Sequence, residues 1–207
     1  MQKIMFNNRY GLTDAVIKGI KKMTRRILPD IEDGVKIRLN YDNTVGFNHG
    51  DGWYLAPKKY QPKYYVGEII SVAQAYKDLR WPSGLPGVDM GTTLDEIKNS
   101  HGWNNKMFVR AEYMPCRIKI TGIKLEHLQD ISDEDCLKEG IVRRDDVLDL
   151  KLNDVVRYTF EGSFVNHVYK MYKTAKEAFA ALIDRVSGSG TWKKNPYVVV
   201  YTFELME

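Results

Sequence analysis

The chain has 207 residues, the length of one domain with insertions or of two small ones; 43% are hydrophobic and 28% charged, which excludes collagen, a coiled coil or a wholly disordered chain. Lysine and arginine number 31 against 27 acidic residues, a formal charge of +4, so overall charge alone does not argue for a nucleic-acid partner. Two cysteines, Cys116 and Cys136, are too few for a disulfide framework, no Cys-x-x-Cys or His-Glu-x-x-His spacing offers a metal site, and no run approaches the ~20 apolar residues of a membrane helix; a cytoplasmic protein without metal or membrane is expected.

In chain order, Ile4, Met5 and Phe6 suggest a first strand. Thr13 then stands as N-cap of a short helix over Ala15, Val16 and Ile17, closed by a left-handed Gly19 just before Lys21. Residues 27–63, broken by Pro29, Asp33-Gly34, Pro57 and Pro62 with weak strand signal from Val35 to Leu39, read as an insertion. Tyr64 to Tyr76 reads as a central strand entered through Gly67-Glu68, and residues 78–105 as a second insertion with a short helix headed by Thr93. Strand signal returns at Met107 to Tyr113 and at Arg117 to Leu125, where the alternation of Ile118, Ile120 and Ile123 slips at Gly122 as a bulge requires; the two runs predict a hairpin.

Ser132 caps a helix whose first turn holds Asp133, Glu134 and Asp135, stapled by Ile131 and Cys136 and ended by Gly140. Residues 142–173 form a third insertion around a strand at Val155 to Phe160. Thr174 and Glu177 then make a capping box for a helix with Phe179, Leu182, Ile183 and Val186 on one face. Tyr197 to Leu205 is the strongest strand, with Tyr197, Val199, Tyr201, Phe203 and Leu205 on one face. Strands outnumber helices without βαβ alternation, which predicts one mainly β (α+β) domain over residues 1–207: a small mixed barrel with peripheral helices. No Gly-x-Gly-x-x-Gly or P-loop signature is present, and no cofactor is expected.

Charge is concentrated rather than spread. Lys18, Lys21, Lys22, Arg25 and Arg26 follow one another against Asp14 alone, whereas Glu126, Asp130, Asp133, Glu134, Asp135 and Glu139 face only Lys138. Two solvated faces are the simplest account. The sharper one holds Lys21 over a pocket before a strand begins, where desolvation and its cationic neighbours lower the amine's pKa. Glu139 lies in the last turn of its helix, where the dipole does not favour it, so the helix itself does not explain its position.

The Gly19-x-Lys21-x-x-Thr24-x-Arg26 element, the Val66-Gly67-Glu68-Ile69-Ile70 entry and the Leu125-x-x-Leu128-x-x-Ile131-Ser132-x-Glu134-x-Cys136-x-x-Glu139-Gly140 stretch resemble the ASCH domain, a relative of the PUA fold. The resemblance covers roughly residues 1 to 26, 64 to 76, 107 to 141 and the last strand, without counterparts for the three insertions. It implies a β-barrel that binds RNA. A small bacterial branch of that family hydrolyses N4-acetylcytidine with a lysine, a threonine and a glutamate, roles it places here on Lys21, Thr24 and Glu139.

Three functions follow as expectations. The first is recognition of RNA, a nucleotide or a modified base, with Lys21, Lys22, Arg25 and Arg26 on phosphates, Arg110 in its strand either a barrel-interior anion ligand or an exposed residue, and Trp53, Trp81 or Trp103 stacking on a splayed base. The second is amide hydrolysis of an N4-acylated cytidine: Lys21 as base, Thr24 as nucleophile, Glu139 assisting the leaving amine, and backbone N–H groups near the Lys21 turn receiving the oxyanion. The third is a scaffold whose insertions bind another protein.

Overall fold

The computed structural model describes residues 1–79, 93–145, 156–165 and 168–206. The chain opens with β1 (Lys3–Ile4), a 3-10 turn, α1 (Leu12–Ile17) and β2 (Met23–Ile27). A meander follows, β3 (Lys36–Leu39), β4 (Val45–Asn48) and β5 (Trp53–Leu55), then β6 (Ile69–Val72), α2 (Leu94–Asn99) and the long β7 (Arg117–His127). Next come α3 (Asp133–Lys138), the short strands β8 (Val142–Arg144), β9 (Arg157–Thr159), β10 (Phe164–Val165) and β11 (Val168–Tyr169), then α4 (Ala175–Ser187), α5 (Thr191–Lys194) and β12 (Tyr197–Met206). No helix among the described residues is long and apolar enough to cross a membrane.

The architecture is mixed α+β, centred on a five-stranded sheet in the order β1-β6-β7-β12-β2. Only β1 and β6 run parallel; every other pair is antiparallel. The C-terminal strand β12 sits between β7 and β2, and Val198, Val199, Val200, Tyr201 and Phe203 are all buried, so it is covered on both faces rather than on the one face that alternation predicts. One face of β2, β12 and β7 carries Arg25, Val200 and Lys124 in a row, with Val198 opposite Glu126, beneath α3 and α4. Across the other face Tyr64 meets Tyr201 edge-on at 5.4 Å and Phe6 lies 5.9 Å from Phe203. The Tyr201 hydroxyl accepts from the Lys63 backbone N–H at 2.7 Å, so this buried phenol is satisfied.

Several local expectations hold. Gly19 is left-handed, and the bonds Gly19 N to Val16 O and Ile20 N to Ala15 O close α1 in a Schellman motif. Pairing of β7 with β12 shifts register at Thr202/Phe203, opposite Gly122 and Ile120, which is the bulge that the slip at Gly122 predicts. Thr93 and Glu96 form a full capping box on α2, and Ser132 accepts from Asp135 N on α3.

Others are corrected. Backbone pairing does not join the two edge strands, β1 and β2, so the sheet stays open instead of closing into the expected barrel; a side chain spans the gap, with Arg26 Nη2 donating to Met5 O at 2.6 Å. Gly11, at positive φ, is the N-cap of α1, and Thr13 sits inside the helix with its hydroxyl donating to Phe6 O and Asn8 Oδ1. Residues Met107 to Tyr113 form 3-10 turns, not a strand, so β7 pairs with β6 and β12 and the expected hairpin is absent. The central-strand reading of Tyr64 to Tyr76 shrinks to β6, because left-handed Gly67 breaks the extended path. The Glu177 carboxylate reaches Lys173 N, one residue before the expected partner.

Gly140 links this packing to the charged end of α3: its φ is +102°, and an added Cβ would lie 3.3 Å from Leu12 Cδ2. Gly140→Ala is therefore expected to cost about 1–2 kcal/mol in urea denaturation; an unchanged midpoint with an unchanged slope would contradict the strained geometry.

Candidate functional site

Lys21 reaches its position because the Schellman turn ends α1 abruptly and the next amides are taken up at once. Lys21 N donates to Ala15 O, and Lys22 N donates to Lys138 O across to α3, both at 2.9 Å. The start of β2 thereby docks on the C-terminal end of α3, where helix carbonyls lack partners of their own. Lys21 Nζ completes the dock: it donates to Glu139 O at 2.8 Å and to Glu139 Oε2 at 2.5 Å. A cation thus satisfies both the carbonyl and the carboxylate of the α3 C-cap, which accounts for an acidic residue at the dipole's negative end.

Arg25 ties the same carboxylate to the sheet. Nη1 donates to Glu139 Oε1 at 2.9 Å, Nη2 and Nε donate to Glu126 Oε1 at 2.7 and 3.1 Å, and Nη2 lies 3.4 Å from Asp135 Oδ2. Lys124 and Lys138 close the network on Asp135 at 3.1 and 3.2 Å. The Arg25 side chain is 1% exposed, so its planar fork is spent inside the protein. Burial is the leading influence on Lys21 and holds its amine below the ordinary 10.5, against the opposing pull of Glu139; the Arg26 and Arg25 charges add to the lowering.

Lys21, Thr24 and Glu139 line one cavity of about 170 Å³, with Met5, Phe6 and Arg26 on one side and Phe179, Leu182, Ile183 and Val186 of α4 on another. Thr24 is buried, and among the described residues no group hydrogen-bonds its hydroxyl. The cavity runs along the unpaired edge of β2. Phe203 N donates to Lys22 O and Leu28 N to Tyr197 O, so even-numbered residues bond to β12 and the N–H groups of Arg25 and Ile27 point to the free edge. The turn amides expected as oxyanion donors are engaged, Lys21 N with Ala15 O and Lys22 N with Lys138 O. A second hollow of about 300 Å³ shares Met5, Arg26 and Ile27 with the first and is lined by Lys3, Lys59, Lys63, Tyr64 and Tyr201.

The expected nucleic-acid contacts divide. Arg26 is exposed, lines both hollows and lies over the Phe6 ring. Lys22 is exposed outside the two linings. Arg25 is corrected from a phosphate ligand to the buried hub of the ion network. Arg110 is exposed between two 3-10 turns, not within a strand, and borders neither hollow. Trp53 on β5 lies under Arg38 at 4.1 Å, and Trp103 is half-buried in a 3-10 turn; neither lines the cavity. Trp81 lies outside the described residues. Sequence reasoning missed Lys59 and Lys63, whose only signal is their place in a Pro-bounded loop. It also missed the α4 face as a cavity wall, because helical periodicity marks burial but not the neighbour.

No family model, curated protein or solved structure matches the chain.

Glu139→Gln leaves Lys21 and Arg25 sharing a neutral amide in a dry site and is expected to cost roughly 3–5 kcal/mol in denaturant unfolding; a cost below about 1 kcal/mol would show that the network is solvated. A second prediction concerns pH. Because the folded-state amine of Lys21 titrates below its unfolded value, the unfolded chain binds more protons between those two values. Stability of the wild type relative to Lys21→Met therefore rises as pH climbs through that interval towards the ordinary lysine value of 10.5. Paired denaturation curves check the sign, and a falling difference contradicts a desolvated amine.

Proposed function

We propose that this chain is an ASCH-type, PUA-like protein that recognises a nucleotide or a modified base of RNA in the cavity beside Lys21. One observation carries the reading: Lys21, Thr24 and Glu139, the residues singled out by the ASCH resemblance, line a single small cavity that adjoins a cation-lined hollow. The smaller cavity suits a planar base, with Thr24 and the edge amides of β2 as polar contacts; Arg26, Lys59 and Lys63 next door suit phosphate. The Arg26 bridge to Met5, which ties the two edges of the open sheet together, is what supports a PUA-like relationship, with the opening between β1 and β2.

Amide hydrolysis is the second reading, favoured by the unpartnered Thr24 hydroxyl in the cavity with a desolvated amine. Lys21, having passed its proton to Glu139, takes the Thr24 hydroxyl proton, and Thr24 Oγ1 attacks the acyl carbonyl. The oxyanion lies towards the Arg25 and Ile27 N–H groups. As the C–N bond breaks, the protonated Glu139 supplies the leaving amine's proton; Lys21 again passes its proton to Glu139 and takes one from the water that attacks the acyl-threonine carbonyl, and the Thr24 Oγ1–C bond breaks with Glu139 returning its proton to Oγ1 as the acid leaves.

Mass spectrometry on a panel of nucleosides, including N4-acetylcytidine, and short single-stranded RNAs tests both readings through retained ligand and released acyl group. Recognition predicts retention of RNA, with affinity falling roughly ten- to thirty-fold between about 50 and 200 mM salt for some three phosphate contacts, and further loss in Arg26→Ala. Salt-independent affinity would sink it. Hydrolysis predicts acyl release that falls as pH rises through the lowered Lys21 pKa, where the proton shared with Glu139 is lost, and that falls by at least about a hundredfold in Thr24→Ala. Equal release by wild type and Thr24→Ala would exclude that mechanism.

A further inference from the structure

A larger cavity, of about 910 Å³, lies between α1, the segment after β6 and the C-terminal end of β12, and shares no described residue with the two hollows flanking β2. Gln74 lines it and is 7% exposed. Its Oε1 is sealed from solvent and has no hydrogen-bond partner, and among the described residues its amide nitrogen makes no hydrogen bond. A buried carboxamide whose oxygen is unspent is uncommon, because an unmet acceptor forfeits its hydration without return. The last torsion of glutamine is broad and roughly two-fold, so a modest turn presents acceptor and donor to the cavity side by side.

A side-by-side acceptor and donor is the pattern with which glutamine pairs to adenine, accepting from N6–H and donating to N7. The charges nearby narrow the class. Lys18 and Lys77 are matched by Asp14 and Asp78 in the described lining, so this wall, unlike the cationic hollow at Arg26, offers no net attraction for phosphate, while its carboxylates suit the hydroxyls of a sugar. The volume falls within the range of small-molecule sites. We propose that this cavity is a second ligand site, for an adenine-type nucleoside read by Gln74 and carrying no phosphate.

Calorimetric titration with adenosine, AMP, guanosine and cytidine tests the assignment. Saturable adenosine binding is expected, tighter than guanosine and cytidine by at least about tenfold, with AMP no tighter than adenosine. Gln74→Leu is expected to weaken adenosine at least about tenfold without lowering the melting temperature, since it removes an unsatisfied group. Thr24→Ala is expected to leave adenosine affinity unchanged. A readout free of substitutions uses Cys116, partly exposed on the same wall, whereas Cys136 is buried. Burial pushes the Cys116 thiol up to about 11, so alkylation at mildly alkaline pH is slow and should slow further with adenosine present. Absence of adenosine binding, equal affinity for cytidine, affinity indifferent to Gln74→Leu, affinity lost in Thr24→Ala, or an unprotected Cys116 would each overturn the proposal. The failure of this site leaves RNA retention at the Arg26 side untouched.

Discussion

A buried ammonium needs a carboxylate, and the rest of this site depends on how that need is met. Taking Lys21 out of water is costly unless the partner is close and well oriented. Glu139 answers with its carboxylate and its backbone oxygen together. For both atoms to face Lys21, α3 must end at Glu139 and α1 must end before Lys21, so two helix stops joined by one ion pair define the cavity wall. Arg25 then fixes the remaining carboxylate oxygen, which leaves the site little freedom to rearrange without stranding a charge.

Cations in this protein therefore do two different jobs, and proximity in sequence hides the division. Arg25 and Arg26 are neighbours, yet strand alternation sends one beneath the helices and the other to the rim of the two hollows. The first is neutralised by three carboxylates; among the described residues the second meets a carbonyl and an aromatic ring.

What was legible in the residues follows the range of the interactions involved. The Thr93 and Ser132 caps, the Gly19 turn and the Gly122 bulge depend on a few adjacent positions and stand where those positions suggest, whereas Thr13 yields the cap of α1 to Gly11. The pairing of Lys21 with Glu139 was legible only as an anomaly, an acidic side chain at an unfavourable helix end; family resemblance, not periodicity, connected the two. The run from Met107 to Tyr113 misled because apolar composition does not separate a strand from compact 3-10 turns when no alternation arbitrates. Burial of both faces of β12 was hidden as well, since Val198 and Val200 look like ordinary strand formers until α3 and α4 cover them. Arg110 and the loop tryptophans were chosen by residue type, and type alone says nothing about which end of the fold a loop reaches.

The position of β12 also governs when the site comes into being. Arg25 and Glu126 lie on strands that never touch; the last long strand is the spacer wedged between them. During synthesis, therefore, the acidic and basic halves are both made well before the piece that sets their separation. A chain stalled before residue 197 holds every charged group of the cavity but lacks the slat that aligns them.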